Sequence, residues 1–419
     1  MRFAIETLGT RGDLQPYIAL ARGLMARGHD VQLAAPVQFK DMAAEHDVPF
    51  AALPGELLAL LDTREGKAAV AGGNRFSASF KLLKHVRPLM TKLLDEEWQA
   101  VSSFEPDVLV YHPKALGAPE MATALGVPHV LASPVPGFTP TGAFPSPILP
   151  FATLGPLNKL SHAPAINGAR LLFAKELRVW RATALGLPEK VTLKPAAGTL
   201  YAYSPAVLPK PRDWGANVLV TGYWFLDRPD WQPDAQLASF LRAGPPPVYF
   251  GFGSMPGKDP LAMARMILEA LEITGRRGLL AGGGGAIGNV TASSHAFFLT
   301  NAPHDRLLPH TSATVHHGGA GTTAAGLRAG LPTQIIPFFG DQAFWGRQIA
   351  ALGAGPTPLD SKTLNATKLA EALVAMDSTA MRARALELSI ALRKDPGVEA
   401  AIRFLERVTF SQSCARSGK

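Results

Sequence analysis

Short apolar runs alternate along the chain with longer stretches in which apolar residues recur at helical spacing. That pattern predicts an α/β protein with parallel sheets, because parallel strands bury both faces and need helical crossovers to join them. Arg2–Thr7 reads as the first strand, Gly9–Asp13 as the loop after it, and Gln15–Arg27 as a helix with Ile18, Leu20 and Leu24 on its apolar face. Val31–Ala35 is then the second strand. Asp107–Tyr111 and Val127–Ala132 extend the same sheet, with a helical Glu120–Leu125 between them that Gly126 closes. A second set follows: Val248–Gly251, Gly278–Ala281, Ala296–Thr300, Ala313–His316 and Gln334–Phe338. A Pro- and Trp-rich passage around the strand Val218–Tyr223 connects the two sets.

Two stretches of the second set carry chemistry. The run HHGGAGTT (residues 316–323) ends a buried strand with two histidines, turns on three glycines and opens a helix at Thr322 and Thr323. Glycines let the backbone approach a ligand without Cβ clashes, and a helix start offers free N–H groups and a dipole to an anion. The next strand leads to PFFGDQ (residues 337–342), whose Asp341 and Gln342 can bond a polyol. A diphosphate and a sugar therefore fit side by side.

With GTRGD at residues 9–13, Thr221-Gly222-Tyr223-Trp224, Gly251-Phe252-Gly253-Ser254 and Ala302-Pro303-His304-Asp305, these motifs resemble family 1 glycosyltransferases. The closest likeness is to the branch holding sterol glucosyltransferases and bacterial natural-product glycosyltransferases. The motifs stand in the family's order and span most of the chain, with weak coverage from about 55 to 210. The resemblance implies the GT-B fold, two Rossmann-like domains with parallel sheets facing a central cleft. It assigns residues 1–210 to an acceptor-binding domain, 211–240 to a linker region and 241–395 to a nucleotide-sugar-binding domain. Residues 396–419 become a helix that crosses back, and a polar tail.

Length and composition agree. At 419 residues the chain is long enough for two cores of ordinary size, and 47% hydrophobic against 18% charged residues describes a packed globular protein. No apolar run reaches a bilayer-spanning length, and the N-terminus reads as a first strand instead of a signal peptide. The single cysteine, Cys414, allows no intrachain disulfide, which favours a cytoplasmic setting. The excess of basic residues, 41 − 33 = 8, fits a basic soluble surface, an anionic donor or a negatively charged membrane. No zinc set, RNA-binding signature or arginine-rich arm accompanies it, so nucleic acid is not expected.

Sugar transfer needs a base for the acceptor hydroxyl, charge stabilisation for the leaving diphosphate and a clamp on the sugar. Asp13 lies at the carboxyl end of the first strand, where open α/β sheets bind ligands. By itself it reads as a helix N-cap; the resemblance makes it the catalytic base. Arg11 either orients Asp13, contacts phosphate or is a surface charge, and His304 is a possible support. The resemblance places His317 on the diphosphate. Gly319, Gly321, Thr322, Thr323 and Ser254 complete the donor cradle, and Asp341 and Gln342 hold the sugar. The competing reading of Asp341 and Gln342 is a cap for the helix Ala343–Ala351. Trp345 reads as packing, and His316 as a strand-end residue satisfied by backbone. No Asp-x-Asp or HExxH site is present, and neither a dinucleotide G-x-G-x-x-G nor a P-loop Gly-Lys-Ser/Thr occurs. The expected cofactor list is empty, with UDP-glucose as co-substrate and no metal ion.

Two positions depart from the family. Gly284 and Arg306 stand where relatives often carry tryptophan, which leaves UDP against TDP open. The acceptor is expected to be an apolar alcohol such as a sterol, lipid or polyketide. Pro134–Pro156, with seven prolines interleaved with Phe138, Phe144 and Phe151, is either a loop packed on its own domain or part of the acceptor pocket. Residues 76–92 hold Lys81, Lys84, Arg87 and Lys92 beside apolar residues at helical spacing, and read as a half-buried helix or a peripheral membrane contact interrupted by Pro88. Two other functions use the same cradle: a nucleotide-sugar epimerase or hydrolase, and a non-catalytic nucleotide-sugar-binding protein.

Overall fold

The computed structural model describes residues 1–56, 59, 75–188, 190–253, 259–282, 285–288 and 295–417, the side chains of residues 75–85 and 410–417 apart. The first sheet holds β1 (Arg2–Glu6), β2 (Asp30–Pro36), β3 (Phe50–Leu53), β4 (Val108–Tyr111), β5 (His129–Ser133), β6 (Gly198–Tyr201) and β7 (Val218–Val220). The second holds β8 (Val248–Gly251), β9 (Gly278–Ala281), β10 (Ala296–Leu299), β11 (Ala313–His316) and β12 (Thr333–Ile335). Their orders are β3-β2-β1-β4-β5-β6-β7 and β10-β9-β8-β11-β12. Every pairing is parallel.

The helices that matter for the site are α1 (Arg11–Ala26), α2 (Arg75–Phe104), α3 (Ala118–Leu125), α4 (Ala163–Leu172), α5 (Ala174–Thr183), α6 (Ala320–Arg328), α7 (Gln342–Ala351) and α8 (Val398–Ser417). The tail helix α8 lays Ala401, Ile402 and Leu405 into the core of the first sheet, beside Leu20 and Leu24 of α1. Arg27 pairs with Glu399 and His29 Nε2 lies 3.1 Å from Glu406 Oε1, which ties the same two helices at their rim.

A separate apolar cluster joins the halves. Phe144, Tyr201, Tyr203 and Trp214 pack there with Leu327, Phe344, Trp345 and Ile349. Burying a tryptophan and several aromatic rings this way contributes several kcal/mol, on the order of 3–5 for each large ring removed.

Four expectations change. Helix α1 begins at Arg11, not Gln15, because Thr10 adopts the extended cap conformation and Asp13 supplies the reciprocal acceptor of a capping box. Asp13 is thus in a helix's first turn, not in a loop. The strand inside the expected linker, Val218–Val220, is the edge of the first sheet, paired with β6, a strand that the apolar pattern did not mark. Pro88 does not interrupt α2, which runs through it with Met90, Leu93 and Leu94 buried on its inner face. Of the expected basic patch, the side chains of Lys81 and Lys84 lie outside the described residues. Arg87 pairs with Glu176 and Lys92 with Glu56.

Candidate active site

In each sheet the strand order reverses at one place, between β1 and β4 in the first and between β8 and β11 in the second. Chain leaving such a switch point at the carboxyl ends of the strands opens a crevice, and ligands bind there in open α/β sheets. The polar clusters described below come from these four strand ends and from the ends of β10 and β12.

In the first crevice Asp13 is held from four directions. Its Oδ2 accepts the Thr10 backbone N–H at 2.8 Å, the Thr10 hydroxyl at 3.2 Å and the Lys114 ammonium at 2.9 Å. Its Oδ1 faces His112 Nε2 at 3.4 Å. The backbone N–H of Lys114 donates to His112 Nδ1 at 3.2 Å, which leaves the ring proton on Nε2, directed at Asp13. Burial pulls His112 down to about 3, so it stays neutral. Burial pushes the Asp13 carboxyl up, but Lys114, His112 and the Thr10 N–H outweigh it and hold Asp13 below its ordinary value. The result is an ionised carboxylate of fixed direction, about 21% exposed. Gly9, at φ +132°, makes the room: a Cβ there would stand 2.2 Å from Asp13 Oδ2 and 2.6 Å from Lys114 Nζ.

In the second crevice His316 is fully buried, and its Nδ1 accepts the Gly318 N–H at 3.0 Å. Backbone thus satisfies one side of the His316 ring, and its Nε2 has no hydrogen-bond partner. His317 is nearly buried and its Nδ1 has no hydrogen-bond partner. Burial draws it down to about 4 against the pull of the Gly251 carbonyl, so it meets a ligand as a neutral ring. Gly319 is the extended residue before α6, and a Cβ on it would come within 2.5 Å of His317 Nε2. A Cβ at Gly321 would meet nothing within 4 Å, so the first turn of α6 is open on that side. Thr322 is half-buried. Thr323 departs from expectation: it is fully buried, and its hydroxyl donates to the Gly319 carbonyl at 2.9 Å inside the helix. It steadies the turn and leaves no hydroxyl for a ligand. Ser254 lies outside the described residues, as does Gly284.

At the end of β12 the chain turns through Gly340 into α7. Gln342 is buried, and its Oε1 accepts the N–H groups of Phe338 at 2.7 Å and Phe339 at 3.1 Å, pinning the loop before it. Asp341 stands at the N-cap position but makes no side-chain cap bond. Its Oδ2 instead accepts the Trp345 indole N–H at 2.8 Å. Burial lifts Asp341 to about 6, helped by the charge of Asp13 and opposed by Trp345 and Lys114. Asp341, from the opposite half, thus feels the charges of Asp13 and Lys114.

Arg11 also crosses between the halves. Its guanidinium donates to Asn301 Oδ1 at 3.0 Å, and its charge depresses His304. Among its proposed roles, orienting Asp13 is replaced by this reach toward the second sheet. His304 Nε2 lies 3.0 Å from the Tyr249 hydroxyl, and burial, Arg11 and His317 together pull it to about 4. Arg11, Tyr249, His304 and His317 thus form one polar group facing the open start of α6.

Three residues of this site escaped the sequence reading. His112 and Lys114 follow β4, and the rule that singled out Asp13 at the end of β1 applies equally to them. Trp345 was read as packing; it is packed, and its N–H also fixes Asp341.

Residues 3–128 match the glycosyltransferase family 28 N-terminal domain, and residues 298–404 match the erythromycin biosynthesis protein CIII-like C-terminal domain. A sterol 3-beta-glucosyltransferase of Arabidopsis thaliana is 36% identical over 97% of this chain and 68% of its own length. One of Aspergillus fumigatus is 34% identical over 99% of this chain but 30% of its own length. In fold, the chain is similar to the glycotransferase of kitacinnamycin, with a TM-score of 0.73, 19% identity, and 97% and 99% of the two chains covered. Two parallel sheets and this likeness define the GT-B fold, and the relatives at 34–36% identity make the chain a glycosyltransferase. Within that class the chain belongs to the family 1 branch that contains the sterol 3-beta-glucosyltransferases.

Proposed function

We propose that this glycosyltransferase moves a hexose from a nucleotide sugar, UDP-glucose, to the hydroxyl of a sterol-like apolar alcohol, with inversion and without a metal ion. The observation that carries the reading is the Asp13 carboxylate at the end of β1, held by the Thr10 N–H, the Lys114 ammonium and His112. That the plant and fungal relatives are sterol 3-beta-glucosyltransferases supports a glucosyl donor and a sterol acceptor.

In this mechanism the acceptor hydroxyl gives its proton to Asp13 Oδ1 while its oxygen attacks the anomeric carbon. The bond from that carbon to the diphosphate oxygen breaks on the opposite face, and the electron pair leaves with the nucleoside diphosphate. Asp13 is ionised throughout the neutral range, and the neutral His112 keeps it aimed. Arg11, the neutral donors His317 and His304, and the helix start at Gly321 receive the growing charge, the kind of fixed donor set that stabilises a leaving anion. Asp341, when ionised, accepts from sugar hydroxyls and holds the ring in line.

The test is incubation with radiolabelled UDP-glucose and a panel of sterols and lipid alcohols in the presence of a chelator. Label is expected in the organic phase as a glycoside. Free glucose or an altered nucleotide sugar without acceptor would mark a hydrolase or epimerase instead, and donor binding with no turnover a binding protein.

A further inference from the structure

Helix α4 is built inside out. None of its residues is buried, and its one charged residue, Arg170, turns inward to bond the Leu116 carbonyl at 2.6 Å and the fully buried Glu120 at 2.5 Å. Arg181 of α5 reaches the same carboxylate at 3.0 Å. This ionic anchor leaves Leu171 73% and Leu172 46% exposed. Leu157 and Leu160 just before the helix, and Val179 on α5, are exposed as well. Seven of the fifteen large exposed apolar side chains among the described residues lie between residues 148 and 179. Soluble surfaces scatter such residues singly; here they gather on one stretch.

The charges of that stretch are mostly of one sign, with Glu176 as its one acid. No Asp or Glu stands between Glu120 and Glu176. Lys159, Lys175 and Arg178 are exposed beside the leucines, and Glu176 is engaged by Arg87 at 3.4 Å. Glu176 is held by Arg87, and Asp213, which feels Lys159, is bonded to Thr141 and Gly142, so cations exceed free carboxylates around these apolar side chains. Such a surface complements a bilayer with anionic headgroups, which takes the leucines into its boundary and the cations at its surface. A protein partner that matched only the leucines would not require the excess of cations. The stretch also adjoins the site: Arg347 of α7, just past Asp341, holds the carbonyls of Pro150 at 3.1 Å and Phe151 at 3.0 Å.

We infer that residues 157–179 dock this enzyme on an anionic lipid surface, through Leu157, Leu160, Leu171, Leu172 and Val179 with Lys159, Lys175 and Arg178. The docking face differs from the basic segment 76–92, whose described cations Arg87 and Lys92 are already paired. It delivers an apolar acceptor dissolved in the bilayer to the side of the cleft that carries Asp341.

The experiment is co-sedimentation of the full chain with phosphatidylcholine vesicles containing about 30 mol % phosphatidylglycerol, which needs neither donor nor acceptor and so stands apart from the transfer reaction. Wild type is expected to sediment, less so with pure phosphatidylcholine and at high salt. The triple variant Leu160→Ser, Leu171→Ser, Val179→Ser is expected to lose at least about tenfold in partitioning with an unchanged melting temperature, since all three side chains are exposed. Lys159→Glu with Lys175→Glu and Arg178→Glu is expected to do the same. No sedimentation of wild type, or sedimentation of both variants equal to that of wild type, would overturn the inference. So would a wild-type dimer that the leucine variant dissolves without a change in vesicle binding, which would make the face a contact between copies.

Discussion

Lys114 Nζ lies 2.9 Å from Asp13 Oδ2, and this pair sets the charge of the proposed base. Burial alone would push Asp13 up; the ammonium is the largest influence in the other direction. Replacing Lys114 by Met is therefore expected to raise the Asp13 pKa and move the acid limb of the kcat profile to higher pH. A kcat loss of roughly tenfold or more at neutral pH should accompany it, with Lys114→Arg restoring part of the loss. A pH profile of kcat for the three proteins checks this; an unmoved limb would detach Lys114 from the base.

Gly9 is required by geometry and by backbone. Its φ of +132° is strained for any side chain, and an added Cβ would displace the flexible ends of Asp13 and Lys114, which can yield without unfolding the domain. Gly9→Ala is expected to lower stability by about 1–3 kcal/mol but turnover by about a hundredfold. Urea unfolding and a transfer assay on the same preparation separate the two effects.

Asp341, raised to about 6 by burial, predicts the pH dependence of donor recognition. Below that pH it is protonated and loses acceptor capacity; as pH rises through about 6 it ionises and the donor KM should fall. Asp13 and His317 do not produce this limb, since one titrates lower than usual and the other near 4. Trp345→Phe keeps the packing and removes the indole N–H that favours the ionised form. It should shift the limb upward and raise donor KM severalfold, with a smaller effect on kcat. A pH series of donor KM for both proteins measures it, and identical limbs would leave Trp345 as packing alone.

Glu6 of β1 and Glu97 of α2 are fully buried and have no polar partner but each other. Burial lifts Glu6 to about 8 and Glu97 well above the carboxylate range. For Glu6, the folded state holds its proton more tightly than the unfolded chain. Its contribution is complete below about 4.5 and is lost as pH rises toward about 8. Stability to urea should fall over that window, by an amount on the order of a few kcal/mol, and Glu6→Gln should flatten the slope. A variant that retains the wild-type slope would contradict this assignment.

Much of this architecture was legible because parallel α/β units write it twice, once in apolar runs and once in the Gly, Asp and His residues at strand ends. The runs at Phe3–Ile5 and Ala313–Val315 became interior strands, and Gly318 and Gly319 made the turn into α6, with Gly321 in its first turn. What stayed hidden depends on contacts distant in sequence. Gly198–Tyr201 has too short a run to stand out, yet its pairing with β5 and β7 makes it a strand. Thr323 looked like a phosphate donor until its hydroxyl met the Gly319 carbonyl one turn back. Trp345 is apolar by composition, and only the fold brings its N–H to Asp341. The role of His112 rests on a tautomer that a single backbone N–H selects.

The most direct test compares wild type with Asp13→Asn for glucosyl transfer from UDP-glucose to a sterol, at saturating donor with chelator present, and measures UDP-glucose affinity on the same samples. The account predicts a β-glucoside from wild type, and a kcat lower by about a hundredfold or more in the variant at an almost unchanged donor affinity. Equal turnover in the two proteins would contradict it, because the carboxylate held by Thr10, His112 and Lys114 would then not be the group that takes the acceptor's proton.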